Sequence, residues 1–310
     1  MYKYIFGPVP SRRLGISLGI DIVPLKTCSL NCVYCECGPT NNLTTERKEY
    51  IPFEDIIEEI RHYFNNNPEP EYITFSGSGE LSLNIKIGEI IDFLKSNFPK
   101  IPVAVLSNGT LFNDKTVRES LLKADLVIPS LDAATEETFL RIDRPSKQVN
   151  LQDYIDGLVQ FRKEFKNKLW LEVFILPNYN DNMKDILALK EAIQRIKPDL
   201  IQLNSLDRPG CIDGLEVASE EILNKIIELW GFPNVEIISK SKKREGIKSY
   251  RKDLEEHILG TIARRPSPVE NIAEITGYHL SELMKYIRTL EEQGKISSVN
   301  LNNQVFYKIS

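Results

Sequence analysis

The chain has 310 residues, of which 42% are hydrophobic and 27% are charged, and its formal net charge at pH 7 is −5. This length predicts roughly two domains, and the composition is that of a globular protein with a sizeable core. The acidic balance argues against strong non-specific binding of nucleic acid by the whole molecule, although it allows a local basic patch.

The sequence and its cysteine content also bear on the cellular location of the protein. The first eight residues contain no charged region followed by an apolar run, so no signal peptide is expected, and no apolar run is long enough to cross a bilayer. Four of the five cysteines fall within ten residues, which does not resemble a disulfide framework. A reducing compartment, the cytoplasm, is therefore expected.

Strand-like and helix-like segments alternate as far as residue 238. Apolar strands are predicted at Ile16–Val23, Tyr72–Phe75, Val103–Ser107, Leu126–Ser130, Leu169–Ile175, Leu200–Asn204 and Val235–Ile238. A helix is predicted over Pro52–Asn65, and later helices are predicted to begin at Asn84, Asn113, Asn150, Asn182 and Ser219. This alternation predicts an α/β fold with a parallel sheet, either doubly wound or closed into a partial barrel, with ligands at the carboxyl ends of the strands.

The composition changes at residue 240. Residues 240–252 hold seven basic residues against one acid, Glu245. Three helices follow, beginning near Leu254, Pro268 and Leu280, and then a hairpin that turns at Asn302 and Asn303. This order predicts a small winged helix-turn-helix domain over residues 245–310, after a larger domain over residues 1–244.

Three cysteines form the most informative pattern. Cys28, Cys32 and Cys35 have the spacing C-x3-C-x2-C, with Tyr34 directly before the third. Thiolates this close on one loop suit three irons of a [4Fe–4S] cluster and leave the fourth iron open. The alternatives are structural zinc and redox thiols, but zinc sites usually have a second cysteine pair or a nearby histidine, which this loop lacks.

Polar residues follow several of the predicted strands. The run from Ser76 to Glu80 reads Ser-Gly-Ser-Gly-Glu, and its small residues would let a ligand approach the backbone closely. Ser107 and Asn108 end the next strand, and Ser130 and Asp132 provide side-chain oxygens at the end of the strand after it. The alternative for each is a cap or a turn.

The segment from Phe6 to Gly15, followed by residues 17–21 and the cysteines, resembles one branch of the radical S-adenosylmethionine (radical SAM) superfamily. That branch is grouped with the 4-demethylwyosine synthases, which modify tRNA, and the resemblance covers about residues 5–240. It implies a partial parallel (β/α)6-type barrel and the cofactors [4Fe–4S] and SAM. No cysteine precedes Cys28, so the second cluster of the archaeal wyosine enzymes is not expected.

The resemblance also implies roles for individual residues. The cluster ligands would be Cys28, Cys32 and Cys35, and Tyr34 would lie beside the cluster and the adenine. The SAM-binding residues would be Ser76, Gly77, Ser78, Gly79, Glu80, Asn108, Ser130 and Asp132. Candidate substrate residues are Arg12, Arg13, Lys26, Glu172, Asn204 and Arg208. Lys26 could form a Schiff base with a keto acid, or it could be a solvated charge.

The expected function is reductive cleavage of SAM followed by radical modification of a substrate. The leading substrate is a tRNA or other RNA base, and the alternative is a protein or small metabolite, with the C-terminal domain docking the partner. A protein of flavodoxin or ferredoxin type would supply electrons, and no membrane is expected. The competing class is an Fe–S-sensing transcription regulator, which would not need the glycine-rich run. From Asp253 onward six basic residues face eight acidic ones, which disfavours DNA reading.

Overall fold

The computed structural model describes residues 2–11, 13–206, 210–238, 252–264, 266–276, 278–301 and 304–310. Its strands are β1 (Ile5–Ser11), β2 (Gly15–Ile20), β3 (Thr27–Cys28), β4 (Asn42–Leu43), β5 (Tyr72–Phe75), β6 (Val103–Ser107), β7 (Leu126–Pro129), β8 (Lys168–Ile175), β9 (Leu200–Ser205), β10 (Val235–Ile237), β11 (Ile296–Leu301) and β12 (Gln304–Ile309). Its helices are α1 (Phe53–Asn66), α2 (Ile87–Asn97), α3 (Lys115–Leu121), α4 (Glu136–Ile142), α5 (Leu151–Glu164), α6 (Met183–Ile196), α7 (Glu220–Trp230), α8 (Lys252–Arg264), α9 (Val269–Thr276) and α10 (Leu280–Glu292). A single 3-10 turn covers Leu81–Leu83 in the described chain.

The central sheet has eight strands in the order β1-β2-β5-β6-β7-β8-β9-β10. β1 pairs antiparallel with β2, and every other neighbouring pair is parallel. The order follows the chain without the reversal that defines a doubly wound sheet, so this winding is that of a barrel. The α/β prediction with a mostly parallel sheet is confirmed, and β1 is an additional strand that the apolar pattern did not predict.

Helix starts test the capping predictions. Asn150, Asn182 and Ser219 cap α5, α6 and α7 through side-chain oxygens that accept backbone N–H groups, as predicted. Two predictions were wrong. Lys86 stands at the N-cap of α2, two residues after Asn84, whose side-chain oxygen accepts the N–H of Lys86 at 2.9 Å and whose amide donates to the carbonyl of Ile22 at 2.8 Å.

Helix α3 also begins at a different residue from the one predicted. Its N-cap is Asp114 instead of the predicted Asn113, and the carboxylate of Asp114 accepts the N–H of Thr116 at 2.7 Å. The oxygen that caps the helix therefore sits one residue later than the pattern indicated.

The C-terminal part forms a second, smaller core. Helices α8, α9 and α10 and the β11–β12 hairpin share a cluster of buried apolar side chains, and this cluster includes Phe6 from β1. The element order agrees with the predicted three helices and hairpin, while the winged-helix class stays a prediction. The predicted domain boundary at 244–245, most of the basic segment 240–252, and the turn at Asn302 and Asn303 lie outside the described residues. No helix in the described part of the chain is long and apolar enough to cross a membrane.

Candidate functional site

The cysteine loop begins where β2 ends and is anchored on the loop that follows α4. The backbone N–H of Val33 donates to Ile142 O at 2.9 Å, and that of Asn31 donates to Asp143 O at 2.9 Å. Ser29 O accepts the N–H of Ser146 at 2.9 Å. These long-range bonds hold the loop in one conformation, so the three thiols are presented together.

The thiols of Cys28, Cys32 and Cys35 are close enough to shift one another's ionisation. Burial raises the pKa of Cys28 to about 12, and burial together with the carboxylate of Asp143 holds the pKa of Cys32 well above its usual value. Among the described residues, no three His, Cys, Asp or Glu side chains are grouped tightly enough for one metal ion. A [4Fe–4S] cluster does not require ligands that meet at one ion, because each thiolate binds its own iron. The three thiols of this loop therefore fit such a cluster.

Cys35 is surrounded by two further thiols and a lysine. Hydrogen bonds from Cys211 and Cys37, followed by the charge of Lys26, hold the pKa of Cys35 well below its usual value. Cys211 also donates its S–H to Cys35 O at 3.2 Å, and its backbone N–H donates to Val33 O at 2.9 Å. The loop after β9 therefore covers the cysteine loop, and both extra thiols lie beside Cys35.

Lys26 is buried, with 4% of its surface exposed, and its backbone has a left-handed φ of 57°. Its Nζ donates to Cys35 Sγ at 3.0 Å. Burial alone would lower the pKa of Lys26, but the Cys35 thiolate outweighs burial and the net pKa is raised. A protonated amine is a poor nucleophile, so this environment does not favour the Schiff-base role considered for Lys26.

The glycine-rich run from Ser76 to Glu80 directly follows β5 and packs against the cysteine loop. Lys26 N–H donates to Ser78 O at 3.2 Å, and Glu80 N–H donates to Thr27 O at 3.0 Å. A Cβ added at Gly79 would lie 2.2 Å from Thr27 O, so only glycine permits this approach. The run and the cysteine loop therefore form one interlocked unit.

Glu80 joins the carboxyl ends of two neighbouring strands. Its carboxylate accepts hydrogen bonds from Ser107 Oγ at 2.7 Å, Asn108 N–H at 2.7 Å and Ser82 N–H at 3.0 Å. Asn108 in turn donates from Nδ2 to Ser29 Oγ at 2.9 Å and reaches Cys28 Sγ at 3.5 Å. The predicted residues Glu80, Ser107 and Asn108 are thus brought together beside the first cysteine.

Tyr34 points the other way, toward the end of β7. Its hydroxyl donates to Asp132, and its ring stacks on Phe174 with centroids 4.0 Å apart. The other oxygen of Asp132 accepts the N–H of Phe174 at 2.7 Å, and burial raises the pKa of Asp132 to about 7. Ser130 lies next to this group, and its carbonyl accepts the hydroxyl of Tyr154.

Three polar side chains join the β1–β2 turn to the strands β8 and β9. Arg13, on the turn between β1 and β2, forms an ion pair of 2.6 Å with Glu172 of β8, and the two side chains are 11% and 18% exposed. Asn204 of β9 donates to the other oxygen of Glu172 at 3.0 Å. Three predicted substrate residues from distant parts of the chain therefore meet here. Arg12 and Arg208 lie outside the described residues.

Two carboxylates at the site were not assigned by sequence reasoning. Asp21 accepts both the N–H and the hydroxyl of Ser78, and Asp143 accepts from Cys32 Sγ at 3.5 Å. Asp21 belongs to the segment that carried the family resemblance, so its position was a usable signal. Asp143 is far from the cysteines in sequence, and no local pattern pointed to it.

The family comparison decides how these contacts are interpreted. The family model described as the radical SAM superfamily matches residues 22–189, which include the cysteine loop and the glycine-rich run. The chain belongs to the radical SAM superfamily. Because this superfamily binds a [4Fe–4S] cluster and SAM, the predicted cofactors are confirmed.

Two relatives of this radical SAM protein extend the comparison. It is 32% identical over 308 residues to the UPF0026 protein of Methanocaldococcus jannaschii, covering 97% of this chain and 94% of that protein. It is 36% identical over 311 residues to a protein named GTPase Obg from Brachyspira hyodysenteriae, covering 99% of this chain but only 45% of that protein. The chain thus spans less than half the length of the Brachyspira relative.

Solved structures show the same fold. A radical SAM methyltransferase from Sphaerobacter thermophilus has a TM-score of 0.52 at 15% identity, covering 71% of this chain and 66% of that one. SuiB of Streptococcus suis, solved with SAM bound, has a TM-score of 0.51 at 15% identity, covering 71% of this chain and 50% of that one. At this identity the likeness shows the fold alone.

Proposed function

We propose that this radical SAM protein cleaves SAM reductively and uses the resulting radical to modify a substrate, for which an RNA base is the leading candidate. When bound, the cluster supplies one electron to the SAM sulfonium, so that a C–S bond breaks to give methionine and a 5′-deoxyadenosyl radical that abstracts a hydrogen atom. Cys28, Cys32 and Cys35 would hold the cluster, and a flavodoxin- or ferredoxin-type partner would supply the electron.

The observation that carries the enzymatic proposal is the pair of backbone hydrogen bonds between the cysteine loop and the glycine-rich run. The bonds from Lys26 N–H to Ser78 O and from Glu80 N–H to Thr27 O join the cysteine loop to the run that we propose binds SAM. A sensor would need only the thiols, whereas an enzyme needs SAM oriented against them. This pair of bonds therefore favours the enzyme over the Fe–S-sensing regulator.

The chain's own residues would divide the remaining work. The carboxylate of Glu80 already accepts three bonds from the protein, so its first effect is to fix Ser107 and Asn108 where SAM would bind. The Tyr34 ring, held by Asp132 and Phe174, provides a flat apolar surface of the kind on which an adenine stacks. Asn108 links this SAM region to Cys28.

Arg13, Glu172 and Asn204 are proposed to contact the substrate. They lie on one side of the sheet, and Glu172 and Asn204 belong to the neighbouring strands β8 and β9. A guanidinium, a carboxylate and an amide in one group offer both donors and acceptors, which suits a planar polar molecule such as a nucleobase.

Support for an RNA substrate also comes from the sequence resemblance and from the basic residues at 240–252. The C-terminal domain is a weaker candidate for reading DNA, because α10 packs against β1 through Glu282, which accepts the N–H of Gly7 at 3.4 Å. A protein or small-metabolite substrate remains the alternative proposal, with this domain docking the partner.

Two experiments test the proposal. Reconstituted, reduced protein given SAM without oxygen should release 5′-deoxyadenosine, and a Cys32→Ala variant should not; no release from well-loaded protein would favour the regulator. For the substrate, tRNA affinity should fall as salt rises and when Lys242, Lys243 and Arg244 are neutralised together. A tRNA affinity that changes neither with salt nor with neutralisation of these residues would favour a protein or small-metabolite substrate.

A further inference from the structure

The glycine-rich run rests on a buried carboxylate at the end of β2. Asp21 is 4% exposed, and its Oδ2 accepts the backbone N–H of Ser78 at 3.0 Å and the hydroxyl of Ser78 at 3.1 Å. A Cβ added at Gly77 would lie 2.1 Å from the Asp21 carboxyl carbon. The run therefore follows the surface of Asp21 closely, and any displacement of this carboxylate displaces the run.

A histidine from the C-terminal domain faces the same carboxylate oxygen. His279, the residue before α10, places its Nε2 3.6 Å from Asp21 Oδ2. Its Nδ1 accepts the N–H of Ser281 at 3.2 Å and so caps the helix. An accepting Nδ1 leaves the ring hydrogen on Nε2, where it points toward Asp21.

The contact between His279 and Asp21 is polar, but it is not an ion pair at neutral pH. Burial lowers the pKa of His279 to about 4, so the ring is neutral, and 3.6 Å is longer than a direct hydrogen bond. What acts on the carboxylate is the N–H dipole, in a site with little water to screen it.

Packing gives a second link between the same parts. The His279 ring stacks on Phe6 with centroids 4.8 Å apart and planes inclined by 10°. Phe6 in turn covers Gly19 of β2, where an added Cβ would lie 2.0 Å from the ring. The histidine is thus fixed between the C-terminal core and β2, the strand that Asp21 follows.

We propose that His279 is a positioning residue through which the C-terminal domain supports the SAM-binding run, acting on Ser78 by way of Asp21. This inference rests on the proposed function, since it takes the run at Ser76–Glu80 as the SAM site. It gives the appended domain a role in the core reaction, because undocking the domain would remove a support of the SAM site.

The test measures SAM affinity by equilibrium dialysis on cluster-loaded, unreduced full-length protein, so that SAM is not consumed. His279→Asn keeps an oxygen that can cap α10 but is too short to reach Asp21. We expect this variant to bind SAM at least about fivefold more weakly, with unchanged iron content and an unchanged cleavage rate at saturating SAM. His279→Gln, which extends an amide N–H toward Asp21, should recover part of the loss. Ile275→Ala, at an exposed site of the same domain, should bind SAM as the unmodified protein does.

A double-mutant cycle with Asp21→Asn separates this path from a general loss of packing. If His279 acts through Asp21, the loss of SAM affinity in the double variant will be smaller than the product of the two single losses. The inference would be overturned if His279→Asn bound SAM as tightly as the unmodified protein, or if the two single losses of SAM affinity multiplied in the double variant. In either case SAM binding by the unmodified protein would still support the proposed function. Failure of the unmodified, cluster-loaded protein to bind SAM would instead overturn the proposed function, and the inference with it.

Discussion

Lys26 Nζ donates a hydrogen bond to Cys35 Sγ at 3.0 Å, which places a buried positive charge against one of the three proposed cluster ligands. Hydrogen bonds and charge near the sulfurs are a main determinant of Fe–S reduction potentials. The same lysine donates its backbone N–H to Ser78 O, so it also joins the two halves of the site.

Replacing Lys26 by Met should therefore lower the reduction potential of the cluster, because the extra negative charge of the reduced state loses its neighbouring cation. A charge-assisted hydrogen bond of about 1.4 kcal/mol corresponds to about 60 mV for one electron. A redox titration followed by electron paramagnetic resonance measures the change. Lys26→Arg retains the positive charge and should shift the reduction potential less. A reduction potential in Lys26→Met that equals or exceeds that of the unmodified protein would contradict the placement of Lys26 beside a cluster ligand.

Asp21 should make stability depend on pH. Burial raises the pKa of Asp21 from 3.8 to about 6. The folded protein then binds the proton more tightly than the unfolded chain, so the free energy of unfolding should decline as pH rises from about 4 to about 6 and then level off. The full effect of two pKa units is at most about 3 kcal/mol. His279 also faces this carboxylate, and burial lowers the pKa of its ring to about 4.

Urea denaturation across this pH range, compared with Asp21→Asn, isolates the contribution of Asp21. The variant cannot ionise, so its stability relative to the unmodified protein should improve as pH rises from about 4 to about 6. Parallel pH profiles for the two proteins would show that Asp21 ionises in the folded state as it does in the unfolded chain.

Glu80→Gln should destabilise the fold by about 2 kcal/mol. The carboxylate accepts hydrogen bonds from Ser107, Asn108 and Ser82, and an amide nitrogen in place of one oxygen sets a donor against these donors and leaves at least one of them buried without a partner. Anaerobic urea denaturation measures the loss. Glu89→Gln, on the exposed surface of α2, is the matched control and should change stability by less than about 0.5 kcal/mol. Equal effects at the two positions would contradict the network.

The Arg13–Glu172 pair should show strong coupling in stability. Removing either partner leaves the other charge partly buried, so each single variant, Arg13→Gln or Glu172→Gln, should lose about 1–3 kcal/mol. The double variant should lose less than the sum of the two. The exposed pair Arg195–Asp156 provides the control cycle, where coupling near zero is expected. Additive losses at Arg13 and Glu172 would show that the pair contributes no interaction of its own.

Local sequence patterns indicated much of the candidate site. The cysteine spacing, and the polar run directly after a four-residue apolar strand, both depend on neighbours in sequence, and the structure shows them interlocked. The caps Asn150, Asn182 and Ser219 succeeded for the same reason, since each cap bonds only its own first turn.

Contacts that join distant segments could not be predicted in this way. β1 was missed because Gly7, Pro8 and Pro10 interrupt its apolar pattern, and its strand character comes from pairing with β2. The roles of Asp21, Asp143 and His279 depend on tertiary packing that no local period encodes.

We propose that Cys28, Cys32 and Cys35 share one cluster that acts on SAM, while Cys37 and Cys211 only surround Cys35. The most direct measurement is the amount of 5′-deoxyadenosine released by each of the five Cys→Ala variants after anaerobic reconstitution and reduction, with iron content determined in the same samples. We expect the Cys28, Cys32 and Cys35 variants to lose both iron and product, and the Cys37 and Cys211 variants to retain both. Product from any of the first three, or loss of the cluster in the Cys37 or Cys211 variant, would contradict this assignment.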